Sequence, residues 1–418
     1  MSKKFLTIGI VLLMVTVVTA AAVLFLFPYE PKQPPKADDT GSTPEGVQEV
    51  VNANNKFAFD LYSELVKSEK GNIFYSPYSI SAALAIAYEG AKGQTADEIR
   101  SVFHFPENSI LRPNFAAIYN EINKGYKDYE LRTGNALWVQ QEYPLLEDYT
   151  SRVERYYGGK AANVDFVRET EKSRQTINSF IEEQTNNKIK DLIPRDFLDP
   201  ATRLVLTNAI YFKGTWKWQF DPKDTREMEF KITPTNVVKV QMMYMKPDKA
   251  SFNYADLGDL QILELPYKGE KISMLILLPT ESLDSIEPPL TAEKLSEYKK
   301  QMQETKLDEI YLPKFEFNTK YFMKDALSNL GMPTAFDRSK ADFSGMTTTE
   351  KIWIDSIIHQ AYIKVDEKGT EAAAATAGMI IGATPRNVFK ADHPFVFIIQ
   401  QKDTGNILFI GRVIDPTK

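Results

Sequence analysis

The chain has 418 residues, a formal net charge of −6, and a composition that is 43% apolar, 12% aromatic and 25% charged. That composition is typical of a globular protein with a large core, and the negative charge disfavours binding to nucleic acid, which requires a basic surface. The chain contains no cysteine. Disulfides, thiolate zinc sites, iron–sulfur clusters and a cysteine nucleophile are therefore excluded, whereas export is not.

The N-terminus predicts a membrane segment. Lysines at positions 3 and 4 precede an uncharged, mostly apolar run over residues 5–27, which as a helix would span ~35 Å, more than the ~30 Å hydrocarbon core of a bilayer. We interpret residues 1–27 as a signal-anchor that leaves the rest of the chain outside the cytoplasm, at the cell surface. The alternative is a signal peptide cleaved at the alanines of positions 20–22, which would give a secreted extracellular protein. The proline-rich residues 28–46 are typical of a linker.

Residues 47–418 have the pattern of one folded domain. Helices are predicted mainly in the first half, including one that starts at a capping box formed by Thr95 and Glu98 and one through Ile177 that Pro194 ends. Strands are predicted mainly in the second half, with hairpin turns at residues 268–270 and 403–405. Because no repeat is present and helices and strands are segregated, the sequence predicts an α+β fold rather than wound βαβ units.

The sequence lacks the common signatures of catalysis. His104, His359 and His393 are far apart and lack metal-ligand spacing. No nucleophile elbow, P-loop or dinucleotide-binding glycine motif is present. Ser76 and Ser79 precede a helix without an acid–base partner in the sequence, which is more typical of helix caps than of nucleophiles. We therefore predict neither an enzyme, nor a metal site, nor a cofactor.

A tract of small residues near the C-terminus stands out. In residues 369–387, read as one strand, Thr370, Ala372, Ala374 and Thr376 share one face, and Glu371, the charge nearest the tract's start, lies on the other. Such a segment has two credible states: an exposed loop, or a strand inserted between two others without burying a charge. The alternative interpretation is an alanine-rich linker or a frayed helix end.

Several motifs together resemble the serpin family. The tract "VDEKGTEAAAATA" and the C-terminal "FKADHPFVFIIQQKDTGNILFIGRVIDP" are similar to the hinge and the C-terminal signature of serpins. The resemblance continues in "NIFYSPYSISAALAIAYEGAKGQTADEI", "INSFIEEQTNNKIKDLIP" and "LTNAIYFKGTWKWQF". It covers residues 47–416, in the order that the family shows.

The resemblance implies a serpin fold of about nine helices and three β-sheets with an exposed reactive-centre loop, here residues 367–390. It also implies a mechanism, in which a serine protease cleaves the loop and forms an acyl-enzyme. The loop then inserts into the central sheet and traps the protease covalently. The implied partner is therefore a target serine protease, and the serpin itself is expected to be a monomer.

By the same resemblance, Gly369 is the hinge glycine and Thr370 the small hinge residue. The inserting part of the loop continues through Glu371, Ala372, Ala373, Ala374, Ala375 and Thr376. Family spacing from Gly369 and from Pro394 places the reactive bond at Ala383–Thr384, which suits elastase-like or subtilisin-like proteases. A trypsin-like protease would require Arg386, which makes the loop three residues too long. Met379 and Ile381 are expected to make secondary contacts with the protease.

The resemblance further implies two clusters that control opening of the central sheet. Ser76, Ser79, Asn208 and His359 are expected beneath the sheet, where its strands separate. At the top of the opening it places Trp216, Lys314 and Glu367, with an ion pair between Lys314 and Glu367. Unrelated surface charges are the alternative for that pair.

The hinge favours an inhibitory serpin, because Thr370 is neither bulky nor charged and the alanines are uninterrupted. The alternative function is a non-inhibitory serpin that acts as a carrier or a folding helper. No basic strip for a polyanionic cofactor is evident in the sequence.

Overall fold

The structure is a computed structural model that describes residues 36–124, 126–247, 250–349, 351–370 and 387–418. Lys36–Lys418 form one compact unit. The predicted membrane segment and residues 371–386 of the predicted loop lie outside the described residues, so the domain boundaries at residues 27 and 46 stay predictions. Within the described ranges, no helix is both long and apolar enough to cross a membrane.

The described residues form eight α-helices and two short 3-10 helices at Leu283–Ser285 and Pro333–Phe336. The α-helices are α1 (Pro44–Ser68), α2 (Pro77–Tyr88), α3 (Gly93–Val102), α4 (Asn108–Ile122), α5 (Glu147–Tyr157), α6 (Thr170–Gln184), α7 (Ala292–Gln301) and α8 (Lys324–Leu330). The first two begin in the same way. Thr43 and Ser76 act as N-caps that accept hydrogen bonds from backbone N–H groups three residues later, and a proline follows each cap.

Seventeen strands are described. They are β1 (Ile73–Tyr75), β2 (Tyr129–Gln140), β3 (Lys160–Val164), β4 (Leu204–Thr215), β5 (Arg226–Thr233), β6 (Asn236–Met245), β7 (Phe252–Asp256), β8 (Leu260–Pro266), β9 (Ile272–Pro279), β10 (Gln303–Thr305), β11 (Glu309–Pro313), β12 (Phe315–Phe322), β13 (Ser356–Val365), β14 (Gly369–Thr370), β15 (Val388–Lys390), β16 (Phe395–Gln401) and β17 (Ile407–Val413).

These strands form three sheets. A seven-stranded sheet has the order β1-β17-β16-β9-β8-β7-β10, and a four-stranded sheet has the order β15-β11-β6-β5. The third sheet, which we call the central sheet, has the order β12-β13-β4-β2-β3, with β14 paired to β4. The predicted α+β class and the three sheets are confirmed.

The core lies between the seven-stranded sheet, the central sheet and the helices. Every residue of β9, β16 and β17 is buried. The ring of Phe74 stacks on Phe397 and Phe409 with centroid distances of 5.8 and 5.2 Å. Strands covered on both faces have apolar runs instead of strict alternation, and the run from Phe395 to Ile399 is an example.

Two local predictions were wrong. Helix α3 begins at Gly93, so Thr95 and Glu98 do not form a capping box. Thr95 Oγ1 instead accepts a hydrogen bond from Asp342 N (3.0 Å), and the Glu98 carboxylate accepts from Thr334 N and Oγ1 (2.9 and 2.6 Å). Both side chains therefore form hydrogen bonds with the segment around the second 3-10 helix.

The second error concerns α6, which ends at Gln184, ten residues before Pro194. Asn186 and Asn187 then adopt left-handed backbone conformations, with φ of 52° and 58°. Asparagine is one of the few residues that enter this region readily. The helix therefore stops at the asparagines and not at the proline.

Candidate functional site

The central sheet contains a parallel pair of strands, β4 and β13, whose boundary we call the seam. The seam is paired from Ser356 opposite Val205 to Tyr362 opposite Tyr211. Above Tyr362 the two strands no longer pair with each other. The seam is therefore closed along its lower and middle parts and open at the top.

The hinge strand β14 occupies this open top. Gly369 and Thr370 pair antiparallel with Thr215 and Gly214 of β4. The other edge of Gly214 is already paired with Tyr129 of β2. Since a strand has only two edges, β14 must lie on the edge of β4 that faces β13. The chain thus enters the seam in the antiparallel direction that an inserting strand needs.

A tight turn sends the chain back toward the seam. Asp366 N donates to Gly369 O (2.9 Å) and Gly369 N donates to Asp366 O (3.1 Å). Gly369 has a φ of +143°, and a Cβ atom there would lie 2.1 Å from the carbonyl oxygen of Gly214. No side chain fits at this distance, so the turn and the close pairing with β4 both require glycine.

An ion pair lies at the root of the hinge. Lys314 Nζ donates to both carboxylate oxygens of Glu367 (3.1 and 2.9 Å), so the predicted pair is present. Thr225 Oγ1 donates to the same carboxylate (2.8 Å). Burial raises the pKa of Glu367, but the hydrogen bonds from Lys314 and Thr225 outweigh it, and the pKa is lowered overall. Glu367 therefore stays ionised while its side chain is nearly buried.

Trp216 holds the same turn from the side of β4. Its backbone N donates to Lys368 O (2.7 Å) and its indole Nε1 donates to Asp366 O (3.1 Å). The indole ring stacks on Tyr267 with a centroid distance of 4.4 Å. We call Trp216, Thr225, Lys314 and Glu367 the hinge cluster, and Thr225 is the member that the sequence did not predict.

A second group, which we call the seam cluster, lies under the middle of the seam. It consists of Ser76, Ser79, Asn135, Asn208 and His359, all buried. His359 and Asn208 are register partners across the seam, and Asn208 is also opposite Asn135 on β2. The four predicted members of this cluster are therefore brought together, and a fifth, Asn135, joins them.

Hydrogen bonds connect the seam cluster to the start of α2. His359 Nε2 accepts from Ser76 N (3.1 Å), which leaves Nδ1–H to donate to Asn208 Oδ1. Asn208 Nδ2 in turn donates to Ser79 O (2.7 Å), and Ser79 Oγ donates to Asn135 Oδ1 (3.1 Å). The imidazole thus links two strands of the seam to a helix N-terminus as a single neutral tautomer.

Burial lowers the pKa of His359 to about 3. The charged form would lose its hydration, and its acceptor nitrogen would have to become a donor facing the N–H of Ser76. The histidine is therefore neutral at physiological pH. Protonation would break the contacts that hold the seam together at its centre.

The remaining predicted site residues lie outside the described residues. These are Glu371, Ala372, Ala373, Ala374, Ala375, Thr376, Ala383 and Thr384. Their predicted roles as inserting segment and reactive bond stay predictions. Within the described ranges, no group of three or more acidic or histidine side chains is arranged to hold a metal ion.

Comparison with known proteins agrees with this arrangement. A model of the serpin (serine protease inhibitor) family matches residues 52–416. A serpin-like protein of Methanosarcina mazei is 44% identical over 379 residues, which cover 88% of each chain. Leukocyte elastase inhibitor A of Rattus norvegicus is 38% identical over 380 residues, which cover 88% of this chain and 100% of the relative.

A solved structure shows the same fold. Uncleaved ovalbumin is 33% identical and superposes with a TM-score of 0.79, covering 88% of this chain and all of ovalbumin. The family model spans most of the chain, and the relatives match over nearly their full length. The chain therefore belongs to the serpin family.

Proposed function

We propose that this serpin is an irreversible, suicide-substrate inhibitor of serine proteases. The protease cleaves the reactive loop and becomes acylated. The loop then inserts into the seam as a new strand and carries the bound protease to the other end of the sheet. Inhibition succeeds when insertion is faster than hydrolysis of the acyl-enzyme.

One observation carries this proposal: the hinge strand β14 pairs with β4 at the open top of the seam. Gly369 and Thr370 pair with β4 on the edge that faces β13. Extending this ladder would replace a parallel pairing by two antiparallel ones, which are slightly more stable per residue. The loop therefore needs no change of direction or register to continue into the seam.

The free energy gained from new backbone hydrogen bonds is large enough to drive insertion of the loop. About a dozen new hydrogen bonds, each with a net worth of ~1 kcal/mol, would contribute on the order of 10 kcal/mol. An inserted strand of ~15 residues would be about 50 Å long. This length separates the protease from its first docking position by roughly the length of the sheet.

The proposed target is an elastase-like or subtilisin-like protease. The proposed reactive bond, Ala383–Thr384, presents a small apolar side chain to the protease pocket. The relative from Rattus norvegicus, which is named as a leukocyte elastase inhibitor, supports this class of target. A trypsin-like enzyme would cut after Arg386 instead, and we expect it to treat the loop mainly as a substrate.

We further propose that residues 1–27 anchor the inhibitor at the outer face of the cell membrane, or direct its secretion if they are cleaved. The uncharged run of residues 5–27 behind two lysines supports this proposal. Fractionation of cells that produce the full chain tests it. Recovery in the soluble cytoplasmic fraction, out of reach of added protease in intact cells, would contradict it.

The proposed function is tested by mixing the full chain with elastase or subtilisin and separating the products on a denaturing gel. We expect a band at the summed mass of inhibitor and protease. The same protease with its active-site serine replaced by alanine is the control and should give no such band. Clean cleavage fragments alone would instead support the alternative, a non-inhibitory serpin that acts as a carrier or folding helper.

A further inference from the structure

The lower end of the seam opens onto a cavity. Ser356 and Val205, the lowest register partners of the seam, both line a cavity of about 260 Å³. Arg203, Arg338 and Trp353 are shared between it and a neighbouring cavity of about 440 Å³. Because they share these residues, the two cavities adjoin each other at the lower end of the seam, and we call them together the basic cavity.

The larger part of this cavity is lined by three cations, Arg203, Arg338 and Lys351, together with Tyr143 and Trp353, and by no carboxylate. The guanidinium of Arg338 lies 4.9 Å from the centroid of the Trp353 ring. Arg203 Nη1 donates hydrogen bonds to the backbone carbonyl oxygens of Pro200 and Thr202, and Lys351 Nζ donates one to that of Ser339. Among the described residues, no carboxylate lies within ion-pair distance of these three cations.

Two carboxylates, those of Asp355 and Asp199, line the smaller part of the cavity, and each accepts hydrogen bonds from other groups. Asp355 accepts from Arg203 N (2.6 Å), Leu204 N (2.9 Å) and Trp353 Nε1 (2.8 Å). Asp199 accepts from Ala201 N (2.8 Å) in the turn before β4. Asp342, which interacts electrostatically with Lys351, accepts a hydrogen bond from Ser344 N (3.0 Å). Among the described residues, the larger part of the cavity therefore carries three positive charges without an ion-pair partner, whereas the smaller part also contains the carboxylates of Asp199 and Asp355.

The pairing register of the hinge indicates which residue of an inserted loop would lie beside this cavity. Thr370 is opposite Gly214, so continuing the ladder one residue at a time places Ile380 opposite Leu204, where β4 begins. Ala383 comes three residues later, about 10 Å beyond the start of β4. This position coincides with residues 201–203, whose side chains line the cavity.

We propose that the basic cavity binds the α-carboxylate that cleavage after Ala383 creates. Hydrolysis of the peptide bond adds one water: its oxygen stays on Ala383 as part of a carboxylate, and Thr384 leaves as the free amine. The terminal carboxyl group is ionised at neutral pH. The same carbonyl is uncharged in the intact loop and in the acyl-enzyme ester, so the three cations recognise only the hydrolysed product.

This inference rests on the proposed insertion of the loop and predicts an additional stabilisation of the cleaved, inserted form. Charge-assisted hydrogen bonds from arginine and lysine to a carboxylate are stronger than neutral ones. Because Arg338 and Lys351 are exposed and Arg203 is half-buried, the effect is expected to be modest and sensitive to salt.

The test uses a synthetic peptide of residues 370–383, made once as the free acid and once as the carboxamide. Each form is incubated with the full chain in mild detergent, and binding is followed by the mobility of the complex on a native gel. We expect the free acid to bind about fivefold more tightly at low salt. The preference should shrink at high salt and disappear in the Arg203→Gln/Arg338→Gln/Lys351→Gln variant.

The matched control is Lys324→Gln/Lys340→Gln, which removes two exposed lysines that do not line the cavity and should keep the preference. Equal binding of acid and amide by the parent chain would overturn the carboxylate site while leaving insertion intact. Failure of both peptides to bind would contradict insertion itself. If the triple variant does not fold, the acid–amide difference in the parent chain and its salt dependence still decide the question.

Discussion

The seven-stranded sheet and the seam are both buried, yet they are held together differently. Every pairing in the seven-stranded sheet is antiparallel, and most side chains of its inner strands β9, β16 and β17 are apolar and buried. The seam is parallel, and its centre is the polar contact between Asn208 and His359. Separating β4 from β13 would therefore break a buried polar contact at the centre of the seam in addition to the backbone pairing.

This difference suggests how one chain can contain both a fixed core and a replaceable boundary. Hydrophobic burial is the main contribution to the stability of the seven-stranded sheet. The seam depends on a few hydrogen bonds and one ion pair at its mouth, which can be broken locally. Substitutions in the seam and its hinge should therefore leave the seven-stranded sheet unchanged.

The largest effect is expected from Thr370→Arg. An inserted arginine would bury an unpaired guanidinium at the top of the seam, at a cost of several kcal/mol. The variant should be cleaved by an elastase-like protease without forming the covalent complex on a denaturing gel. Thr370→Ser is the matched control and should still trap the enzyme. Stoichiometric trapping by the arginine variant would show that the hinge does not enter the seam.

A pH effect of intermediate size is expected from His359. Its pKa of about 3 in the folded chain lies below its ordinary value of 6.5, so the unfolded chain binds the proton more tightly. This contribution to stability is complete above pH 6.5 and is lost as the pH falls toward 3. As the pH falls, the free energy of unfolding of the parent chain should therefore decrease more steeply than that of His359→Gln, by up to about 1.4 kcal/mol per pH unit.

Urea unfolding of the parent chain and of this variant between pH 6.5 and 4.5 measures that difference. His104→Gln, which changes a surface histidine beside Asp60, is the control and should follow the parent chain. Parallel losses in the parent chain and in His359→Gln would mean that the buried imidazole does not govern the seam.

A more local effect is expected from Gly369→Ala. The new Cβ would meet the carbonyl of Gly214, and the φ of +143° is unfavourable for alanine. The hinge should detach from β4, so the amide of Trp216, bonded to Lys368 O, should exchange with solvent about tenfold faster. Gly405→Ala, in the hairpin between β16 and β17, should leave this amide unaffected. An unchanged rate in the hinge variant would contradict the pairing of β14 with β4.

The smallest effect is expected from Lys314→Met. Its side chain is 36% exposed, whereas that of its partner Glu367 is 9% exposed. Losing the pair should lower the free energy of unfolding by about 1 kcal/mol or less. Lys268→Met, which removes a looser pair with Asp128 at 3.8 Å, is the control. Urea unfolding should show a larger loss of unfolding free energy in Lys314→Met than in Lys268→Met. Equal losses would mean that the ion pair of Lys314 and Glu367 adds no stability.

Much of the seam could be predicted from the sequence. The strand-like patterns of residues 203–216 and 359–369 predicted β4 and β13, and the small residues after Gly369 indicated a segment with two states. The pair of Lys314 and Glu367 was found through family resemblance, because two charges 53 positions apart carry no signal of proximity in the sequence.

The rest depends on tertiary contacts. Strand β2 was missed because "YELRTG" mixes charged and small residues, and with it Asn135, which could be found only by aligning β2 with β4. Thr95 and Glu98 fitted a helix cap but bind a distant segment. The basic cavity joins Arg203, which precedes β4, to Arg338 and Lys351 in the connection before β13, so only the fold brings these charges together.

The most direct test of the account compares the melting temperatures of the intact chain and of the chain cut once within residues 371–386. We expect the cut chain to melt roughly 10 to 15 °C higher, because the released strand adds on the order of 10 kcal/mol of pairing to the central sheet. A cut chain that melts at or below the temperature of the intact one would contradict it.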